Sequence, residues 1–372
     1  MNRSDILGDV GTVVIKIGTS SITGGGNEVY SEFMDSVAKQ VKELRNQGKK
    51  VLIVSSGAIG VGLAAMKATP KPKEVPIRQA AASVGQGILM QKWNESFQKY
   101  GILVSQILLT YDFYSDREKY LNLRNAIQTL LEYDVVPIIN ENDVICIREI
   151  DAVFGDNDTL SAYVCSKMDA DLLIILSDVD GLYNKNPTLH PDAKIVPIVE
   201  NVEDVRHMAG DTLSSTGTGG MTTKLKAADI CGEAGCNMII ASGKEPNAII
   251  RAVSGDDIGT LFVAGEKEKK KYRWIREAYA KGTLVVDCGA AEKICEGGVS
   301  LLAVGIKDVV GRFKRGDVVN IECSGKIVAK GIPDYNSEEI CRIRGVRSDK
   351  IEEILGHKSY DDVIRSENLA PM

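Results

Sequence analysis

The stretch VLIVSSGAIGVG at residues 51–62 decides the fold. Its first four residues are apolar, which is typical of a strand buried on both faces of a parallel sheet. The small residues that follow allow backbone amides to approach a ligand closely. The stretch lacks the G-x-G-x-x-G pattern of dinucleotide sites, and no G-x-x-x-x-G-K-[ST] motif occurs, so a P-loop is excluded. We therefore expect a ligand-binding α/β sheet of another kind.

The same alternation of strand and helix patterns runs from residue 11 to about residue 262. Strand-like apolar runs lie at Val13–Ile17, Val51–Val54, Ile102–Leu109, Val135–Ile139, Leu172–Leu176, Met238–Ala241 and Thr260–Val263. Helical patterns lie at Ser31–Gln47, Gln79–Tyr100, Tyr120–Tyr133 and Thr222–Ala234. This rhythm predicts an α/β domain with a mostly parallel sheet sandwiched by helices. Val144–Ile150 and Ala152–Phe154 break the rhythm and predict an inserted β-hairpin.

A change in composition predicts a second domain. Residues 265–282 are rich in Lys and Arg, which indicates a solvated, partly helical connector rather than a binding patch. Short strands and Gly-rich turns follow, at Leu284–Asp287, Leu301–Leu302, Val318–Cys323, Ile327–Gly331 and Cys341–Val346. We predict an α/β domain at 1–264, a connector at 265–282, a small mainly-β domain at 283–356 and a loosely held polar tail at 357–372.

Composition excludes several classes of protein. The 372 residues are 44% apolar and 26% charged, and the net charge is −6, so no global basic field attracts nucleic acid or an anionic membrane. No apolar run reaches the length of a membrane span, and residues 1–9 do not resemble a signal peptide, so a cytoplasmic location is expected. The eight cysteines match no common zinc or redox spacing, and we expect packed thiols and no metal site.

Six polar turns carry the candidate chemistry, at residues 16–20, 55–62, 140–143, 155–159, 177–183 and 217–224. Because the carboxyl ends of parallel strands meet at one edge of a sheet, we expect several of these turns to form one site. Gly-rich turns that open helices favour phosphate, and Lys16 and Lys224 add positive charge. Each turn alone is more often structural, and Asp156–Asp158 alone could cap a helix.

The order of these motifs resembles the amino acid kinase family. The motifs are KIGTS at 16–20, SSGAI at 55–59, INEND at 139–143, GDNDTLSA at 155–162, LSDVDGLY at 176–183 and GTGGMTTK at 217–224. Residues 289–302, 313–319 and 331–339 resemble the PUA domain that many glutamate-phosphorylating members carry. The resemblance implies an amino acid kinase fold with a PUA-like domain. It also implies ATP-dependent phosphorylation of the γ-carboxylate of L-glutamate, the first step of proline biosynthesis.

The resemblance assigns roles to individual residues. It implies catalytic roles for Lys16, Lys224 and Asp158, with Asp158 organising the two lysines. It implies glutamate binding by Ser56, Asp143 and Asn157, and phosphate contacts from the amides of the Gly18 and Gly57 turns. The implied ATP-binding residues are Lys16, Gly18, Ser177, Asp178, Thr218, Gly219, Gly220, Met221, Thr222, Thr223 and Lys224. Mg²⁺ is expected on the nucleotide phosphates, without an assigned protein ligand.

Two other functions are compatible with parts of the sequence. One is another amino acid or carbamate kinase of the same fold, and the acidic turns at 140–143 and 156–158 and the C-terminal domain argue against it. PUA-like domains also occur in RNA-binding proteins, but residues 283–356 hold 11 basic and 12 acidic residues, a net charge of −1. We therefore expect no nucleic-acid or membrane partner. The resemblance also implies feedback inhibition by proline and a homo-oligomer, either a dimer or a tetramer.

Overall fold

The computed structural model describes residues 2–23, 29–68, 72, 74–110, 117–145, 157–209, 220–265 and 270–372. The chain divides into two compact units: residues 1–111 and 118–267 form the first, and residues 268–372 form most of the second. Among the described residues, no helix combines the length and the apolar character that a membrane crossing needs.

The first unit alternates strands and helices. Its strands are β1 (Thr12–Ile17), β2 (Lys50–Ser55), β3 (Val104–Leu109), β4 (Val136–Glu141), β5 (Leu172–Ser177), β6 (Ile198–Val199), β7 (Asn237–Ser242) and β8 (Thr260–Phe262). Its α-helices are α1 (Arg3–Leu7), α2 (Thr19–Thr23), α3 (Ser31–Asn46), α4 (Ala58–Ala65), α5 (Val75–Gln98), α6 (Arg117–Glu132), α7 (Asn157–Met168), α8 (Met221–Ala234) and α9 (Ala248–Ser254). A 3₁₀ helix spans Val202–Ala209.

These eight strands form one sheet in the order β3-β4-β2-β1-β5-β7-β8-β6. All neighbouring pairs are parallel except β7 and β8. The predicted mostly parallel sheet is therefore confirmed, and each of the seven predicted strands of this unit is present within a few residues. The antiparallel β8 follows the short α9, a helix that the sequence analysis did not predict.

Side chains alternate between the two faces of each strand, and helices pack on both faces, so the unit has three layers. On β1, Ile15 and Ile17 face a core that also contains residues of α3, α5 and α9, among them the fully buried Trp93. Lys16 points to the opposite face, where it meets α7. The central strands are buried on both sides, as their continuous apolar sequence predicts.

Two local expectations for this unit changed. The small residues after β1 and β2 form the short helices α2 and α4 rather than only turns. Gly57, in the left-handed backbone region, precedes α4. The predicted hairpin lies outside the described residues, apart from 144 and 145, which belong to a turn.

The second unit is mainly β. Its elements are α10 (Lys270–Glu277), β9 (Gly282–Val286), α11 (Cys288–Glu296), β10 (Leu301–Leu302), β11 (Ile306–Gly311), β12 (Val319–Cys323), β13 (Lys326–Gly331), α12 (Ser337–Ile343), α13 (Ile351–Leu355), β14 (Asp362–Ile364) and β15 (Leu369–Pro371). A five-stranded sheet has the order β11-β9-β12-β13-β15, and β10 pairs with β14. The small mainly-β domain is confirmed as a class, and its exact boundaries stay a prediction.

Two expectations for the second unit are wrong. The predicted strand Cys341–Val346 is instead the end of α12 and the turn after it, because Asn336 and Glu339 form a capping box that starts this helix. The tail 357–372 is not loosely held: β15 pairs antiparallel with β13, and Ala370 is fully buried. The connector region contains α10, whose Ile275 is also buried.

Helices α4 and α5 touch backbone to backbone through two glycines. A Cβ on Gly62 would lie 1.8 Å from the carbonyl oxygen of Ala81, and a Cβ on Gly85 would lie 1.8 Å from that of Ala58. These distances leave no room for any side chain, so the pair of glycines fixes how closely α4 approaches α5. Gly87, on the same helix as Gly85, is exposed and has no atom within 4 Å of its ideal Cβ.

We predict that Gly85→Ala destabilises the first unit by about 2 kcal/mol or more, because overpacking a closed contact costs about 1–3 kcal/mol. Gly87→Ala is the matched control and should be neutral or stabilising by about 0.5–1 kcal/mol, since alanine favours helix over glycine. Urea unfolding followed by Trp93 fluorescence, in a Trp274→Phe background, measures both. Equal stability of the two variants would contradict the close contact.

Candidate active site

A carboxylate between two ammonium groups lies at the carboxyl end of β1. Asp158 is the second residue of α7 and is fully buried. Its Oδ1 forms an ion pair with Nζ of Lys16, and its Oδ2 lies 3.0 Å from Nζ of Lys224. Both lysines are also buried, at 6% and 5% exposure. The structure therefore brings together the three residues that the sequence predicts as catalytic.

Each of the two lysines is positioned by its place in an element. Lys16 is the last but one residue of β1, and alternation turns it away from the face that holds Ile15. Lys224 lies in the first turn of α8, after Gly220 in extended backbone. A helix N-terminus carries partial positive charge, so Lys224 adds to a region that already favours anions.

Thr223 links the start of α8 to the same carboxylate. Its Oγ1 donates to the carbonyl of Gly220 at 2.7 Å and lies 3.3 Å from Oδ2 of Asp158. Asp158 also accepts at its backbone carbonyl from Oγ of Ser161, at 2.6 Å. These contacts hold the first turns of α7 and α8 together around one acid.

The two ammonium groups determine the protonation state of Asp158. Burial alone would raise the pKa of this carboxyl, but the charges of Lys16 and Lys224, and the hydrogen bonds they donate, outweigh burial and lower the pKa to about 2. The acid is therefore ionised at neutral pH. Two positive charges against one negative charge leave an excess of one positive charge for an anionic ligand.

A second polar group is built around Asn157, the residue before Asp158. Its Nδ2 lies 2.8 Å from the carbonyl oxygen of Ser55, 2.8 Å from Oγ of Ser56 and 3.1 Å from Oδ1 of Asn140. These contacts join the start of α7 to the carboxyl ends of β2 and β4. Ser56 and Asn157, both predicted to bind glutamate, are therefore neighbours.

Two buried residues that the sequence analysis did not single out support this group. Gln86 of α5 accepts at Oε1 from Nδ2 of Asn140, at 2.9 Å. Trp93 of the same helix donates from Nε1 to Oγ of Ser55, at 3.2 Å. Gln86 is a polar residue in a buried helix face, and that contrast is the sequence signal that could have identified it.

The two glycine turns serve the site in different ways. The amide of Gly18 donates to the carbonyl of Leu176 at 3.1 Å, so this amide is engaged by the protein. A Cβ on Gly18 would lie 3.9 Å from Nζ of Lys16, so the missing side chain keeps open the space beside the ammonium group. Gly57 has φ of +95°, a conformation that favours glycine before α4.

The predicted nucleotide residues fall into three groups. Ser177, at the end of β5, is buried and donates from Oγ to Oδ1 of the exposed Asp178 at 3.0 Å. Gly220 and the first turn of α8, which holds Met221, Thr222, Thr223 and Lys224, border the ion cluster. Thr218 and Gly219 lie outside the described residues.

Asp143 lies in the turn after β4, three residues beyond Asn140, and is partly buried. Its neighbour Asn142 is fixed by a hydrogen bond from its amide to the carbonyl of Leu109 at 2.8 Å. The turn therefore follows the strand end that holds the amide group of Asn157. The role of Asp143 as a ligand stays a prediction.

A mostly parallel sheet, with two lysines and a Gly-flanked helix N-terminus around one carboxylate, is the arrangement of an enzyme that transfers phosphoryl groups. The chain belongs to the amino acid kinase family. The sequence model of that family matches residues 11–242, and the model of the PUA domain matches residues 282–355.

Curated relatives match the chain along nearly its whole length. Glutamate 5-kinase of Methanosarcina mazei is 56% identical over 99% of this chain and 97% of its own. Glutamate 5-kinase of Methanococcoides burtonii is 50% identical over 99% of this chain and 98% of its own. Glutamate 5-kinase of Caldanaerobacter subterraneus subsp. tengcongensis is 42% identical over 96% of each chain. The predicted family, fold and kinase activity are confirmed by these matches.

We predict that Asp158→Asn destabilises the first unit at pH 7 by about 3–5 kcal/mol, because it leaves two buried ammonium groups without a counter-charge. The folded pKa of Asp158 is lowered, so its stabilisation is complete above the unfolded value of about 4 and is lost as pH falls toward 2. The difference in free energy of unfolding between wild type and Asp158→Asn should therefore become smaller by about 2 kcal/mol from pH 5 to pH 2.

Urea unfolding of the Trp274→Phe background at pH 7, 5, 3 and 2 measures this difference. Asp192→Asn is the control, because Asp192 is an exposed carboxylate that pairs with Lys185 at 2.6 Å. The control should change stability little at any of these pH values. A difference that stayed constant down to pH 2 would show that folding does not lower the pKa of Asp158.

Proposed function

We propose that this chain transfers the γ-phosphoryl group of ATP to the γ-carboxylate of L-glutamate and forms L-glutamyl 5-phosphate. The observation that carries the proposal is the buried cluster of Lys16, Asp158 and Lys224, one residue away from the amide group of Asn157. Curated relatives named glutamate 5-kinase, 42–56% identical, support the choice of acceptor. The product would enter proline biosynthesis, as the first step of that pathway.

The chemistry needs no general base. The γ-carboxylate of glutamate has an ordinary pKa of about 4.3 and is an anion at neutral pH. Catalysis then consists of holding two anions in line and neutralising the charge that develops on the transferring phosphoryl group. Lys16 and Lys224 would perform the second task, and Asp158 would keep their two ammonium groups together.

The glutamate side of the site would be formed by Ser56, Asn157 and Asp143. The hydroxyl of Ser56 can donate to a carboxylate oxygen, and Oδ1 of Asn157 can accept a hydrogen bond from the ammonium group of the substrate. A carboxylate is the natural partner of the α-ammonium group, which supports the assignment of Asp143. The contacts of Gln86 and Asn140 would keep the amide group of Asn157 in a fixed orientation.

The nucleotide side would be formed by Gly18, Ser177, Asp178 and residues 218–224. The first turn of α8 offers backbone amides to phosphate oxygens, and the open space at Gly18 would admit an oxygen beside Lys16. Mg²⁺ enters the proposal on the nucleotide phosphates, where it would neutralise charge. Asp158 is not proposed as its ligand, because both carboxylate oxygens already face ammonium groups.

The chain is also proposed to act in the cytoplasm as a homo-oligomer, with proline as an inhibitor that shares the amino acid head group of glutamate. The seven cysteines that the structure describes are free thiols, as a reducing compartment requires. The alternative of an RNA-binding protein has no support from charge, because residues 283–356 carry a net charge of −1.

We predict that Lys16→Ala and Lys224→Ala each lower kcat by about 100- to 1,000-fold, as the loss of one charge-stabilising donor typically does. Lys39→Ala is the control: it removes the same charge from an exposed position on α3 and should leave kcat unchanged. A coupled assay of ADP release measures all three. Loss of less than about threefold in folded Lys16→Ala or Lys224→Ala protein would mean that the lysines are structural.

We predict that glutamate, tested beside N-acetylglutamate, aspartate, carbamate and UMP, gives the largest kcat/KM for ADP release. Hydroxylamine should trap the acyl phosphate as the γ-hydroxamate, which identifies the carboxylate as the acceptor. ADP release with N-acetylglutamate but not with glutamate would contradict the proposed acceptor and would leave the kinase assignment intact.

We predict that Asp143→Asn raises the KM for glutamate and the inhibition constant of proline in parallel, while the KM for ATP changes little. The reason is that both amino acids would place their ammonium group against the same carboxylate. Asp178→Asn is the matched control from the nucleotide side and should affect the KM for ATP instead. A higher KM for glutamate with an unchanged inhibition constant of proline would show that the two amino acids bind at different sites.

A further inference from the structure

Three buried cysteines meet between α7 and α8, away from the proposed phosphoryl-transfer site. Cys165 lies in the last turn of α7, Cys231 lies in the last turn of α8, and Cys236 precedes β7. Their exposures are 0%, 0% and 1%. All three Sγ atoms lie within 4.8 Å of one another. The proposed kinase reaction uses none of them.

The geometry of this thiol cluster (Cys165, Cys231 and Cys236) fits one metal ion. An ion at the centre of a triangle of sulfurs 4.8 Å apart would lie about 2.8 Å from each sulfur, about 0.5 Å beyond an ordinary metal–thiolate bond of about 2.3 Å. Shifts of a few tenths of an ångström would therefore close the site. Such shifts are within the reach of side-chain rotation alone.

We propose that the thiol cluster is a buried three-coordinate site for a soft monovalent metal ion, Cu(I). Thiolates select soft ions such as Cu(I) and zinc. Zinc takes four ligands in structural sites, and no further His, Cys, Asp or Glu side chain joins the cluster among the residues that the structure describes. The three cysteines are 0–1% exposed and present no open fourth position to solvent, so an ion that accepts three sulfurs fits better.

The electrostatic surroundings support a cation. Cys165 and Cys231 each lie in the last turn of a helix, where the backbone carbonyls carry partial negative charge. Binding of Cu(I) would release the thiol protons of the coordinating sulfurs to solvent, and no electron is transferred.

The position of the cluster gives the ion a structural role. Cys165 follows Asp158 by seven residues on α7, and Cys231 follows Lys224 by seven residues on α8, about 10 Å in each case. The ion pair of Asp158 and Lys224 joins the first turns of the two helices, and the metal would join their last turns. Both contacts belong to the same helix pair.

The test uses the full chain with Cys146, Cys288, Cys295, Cys323 and Cys341 replaced by Ser. This background removes competing thiols, above all the exposed Cys288 and the half-buried Cys323, whose Sγ atoms are 3.7 Å apart. Cu(I) is titrated anaerobically against the chromogenic chelator bicinchoninate. We expect one Cu(I) retained per chain, three Cu–S bonds by X-ray absorption, and a melting temperature raised by several degrees.

Cys165→Ala, Cys231→Ala and Cys236→Ala, each in this background, should weaken Cu(I) retention by at least 100-fold. Circular dichroism identifies any variant that does not fold, and the melting temperature of the unsubstituted cluster with and without Cu(I) tests the site independently. No retained Cu(I) on folded protein would mean packed thiols only and would overturn the proposal. Retention that survives all three substitutions, or four-coordinate zinc in place of Cu(I), would also overturn it.

Discussion

The carboxylate of Asp158 is the constraint on which the first unit depends, because it joins β1, α7 and α8 through Lys16 and Lys224. Burying three charged groups costs free energy of desolvation, and such clusters seldom stabilise a fold as well as apolar residues of the same volume would. The cluster is therefore poorly explained as a device for stability. Its excess of one positive charge, held rigidly at the edge of the sheet, is better explained by the binding of an anion.

The first turn of α7 connects the two halves of the site. Successive residues of a helix point about 100° apart, so Asn157 and Asp158 reach different neighbours from one rigid turn. Asn157 contacts the ends of β2 and β4, and Asp158 contacts β1 and α8. An acceptor held by the amide and a phosphate held by the lysines would therefore keep a fixed separation, which is what an in-line transfer requires.

The sequence predicted the elements that local pattern controls and missed those that tertiary contacts control. Continuous apolar runs located the strands, and the order of polar turns located Lys16, Asp158 and Lys224. The predicted strand at Cys341–Val346 failed because the capping box of Asn336 outweighed the β-branched residues. The prediction of a loosely held tail failed because the tail is ordered by a tertiary pairing, in which Ala370 lies opposite Lys330 of β13. Gln86 stands out locally only as a polar residue on a buried helix face, and its contact with Asn140, 54 residues away, has no signature in the sequence.

The thiol cluster also depends on tertiary contacts that the local sequence does not reveal. Metal motifs are recognised in a sequence by short spacings, and Cys165 lies 66 positions before Cys231, so no spacing rule connects them. The α/β topology brings them together because α7 and α8 pack side by side on one face of the sheet, each with a polar group seven residues earlier. A heptad spacing repeats the same face of a helix after two turns, so the pairing of Asp158 with Lys224 also brings Cys165 and Cys231 into register. The packing of α7 on α8 thus brings together two of the three thiols, and Cys236 joins them from the residue before β7.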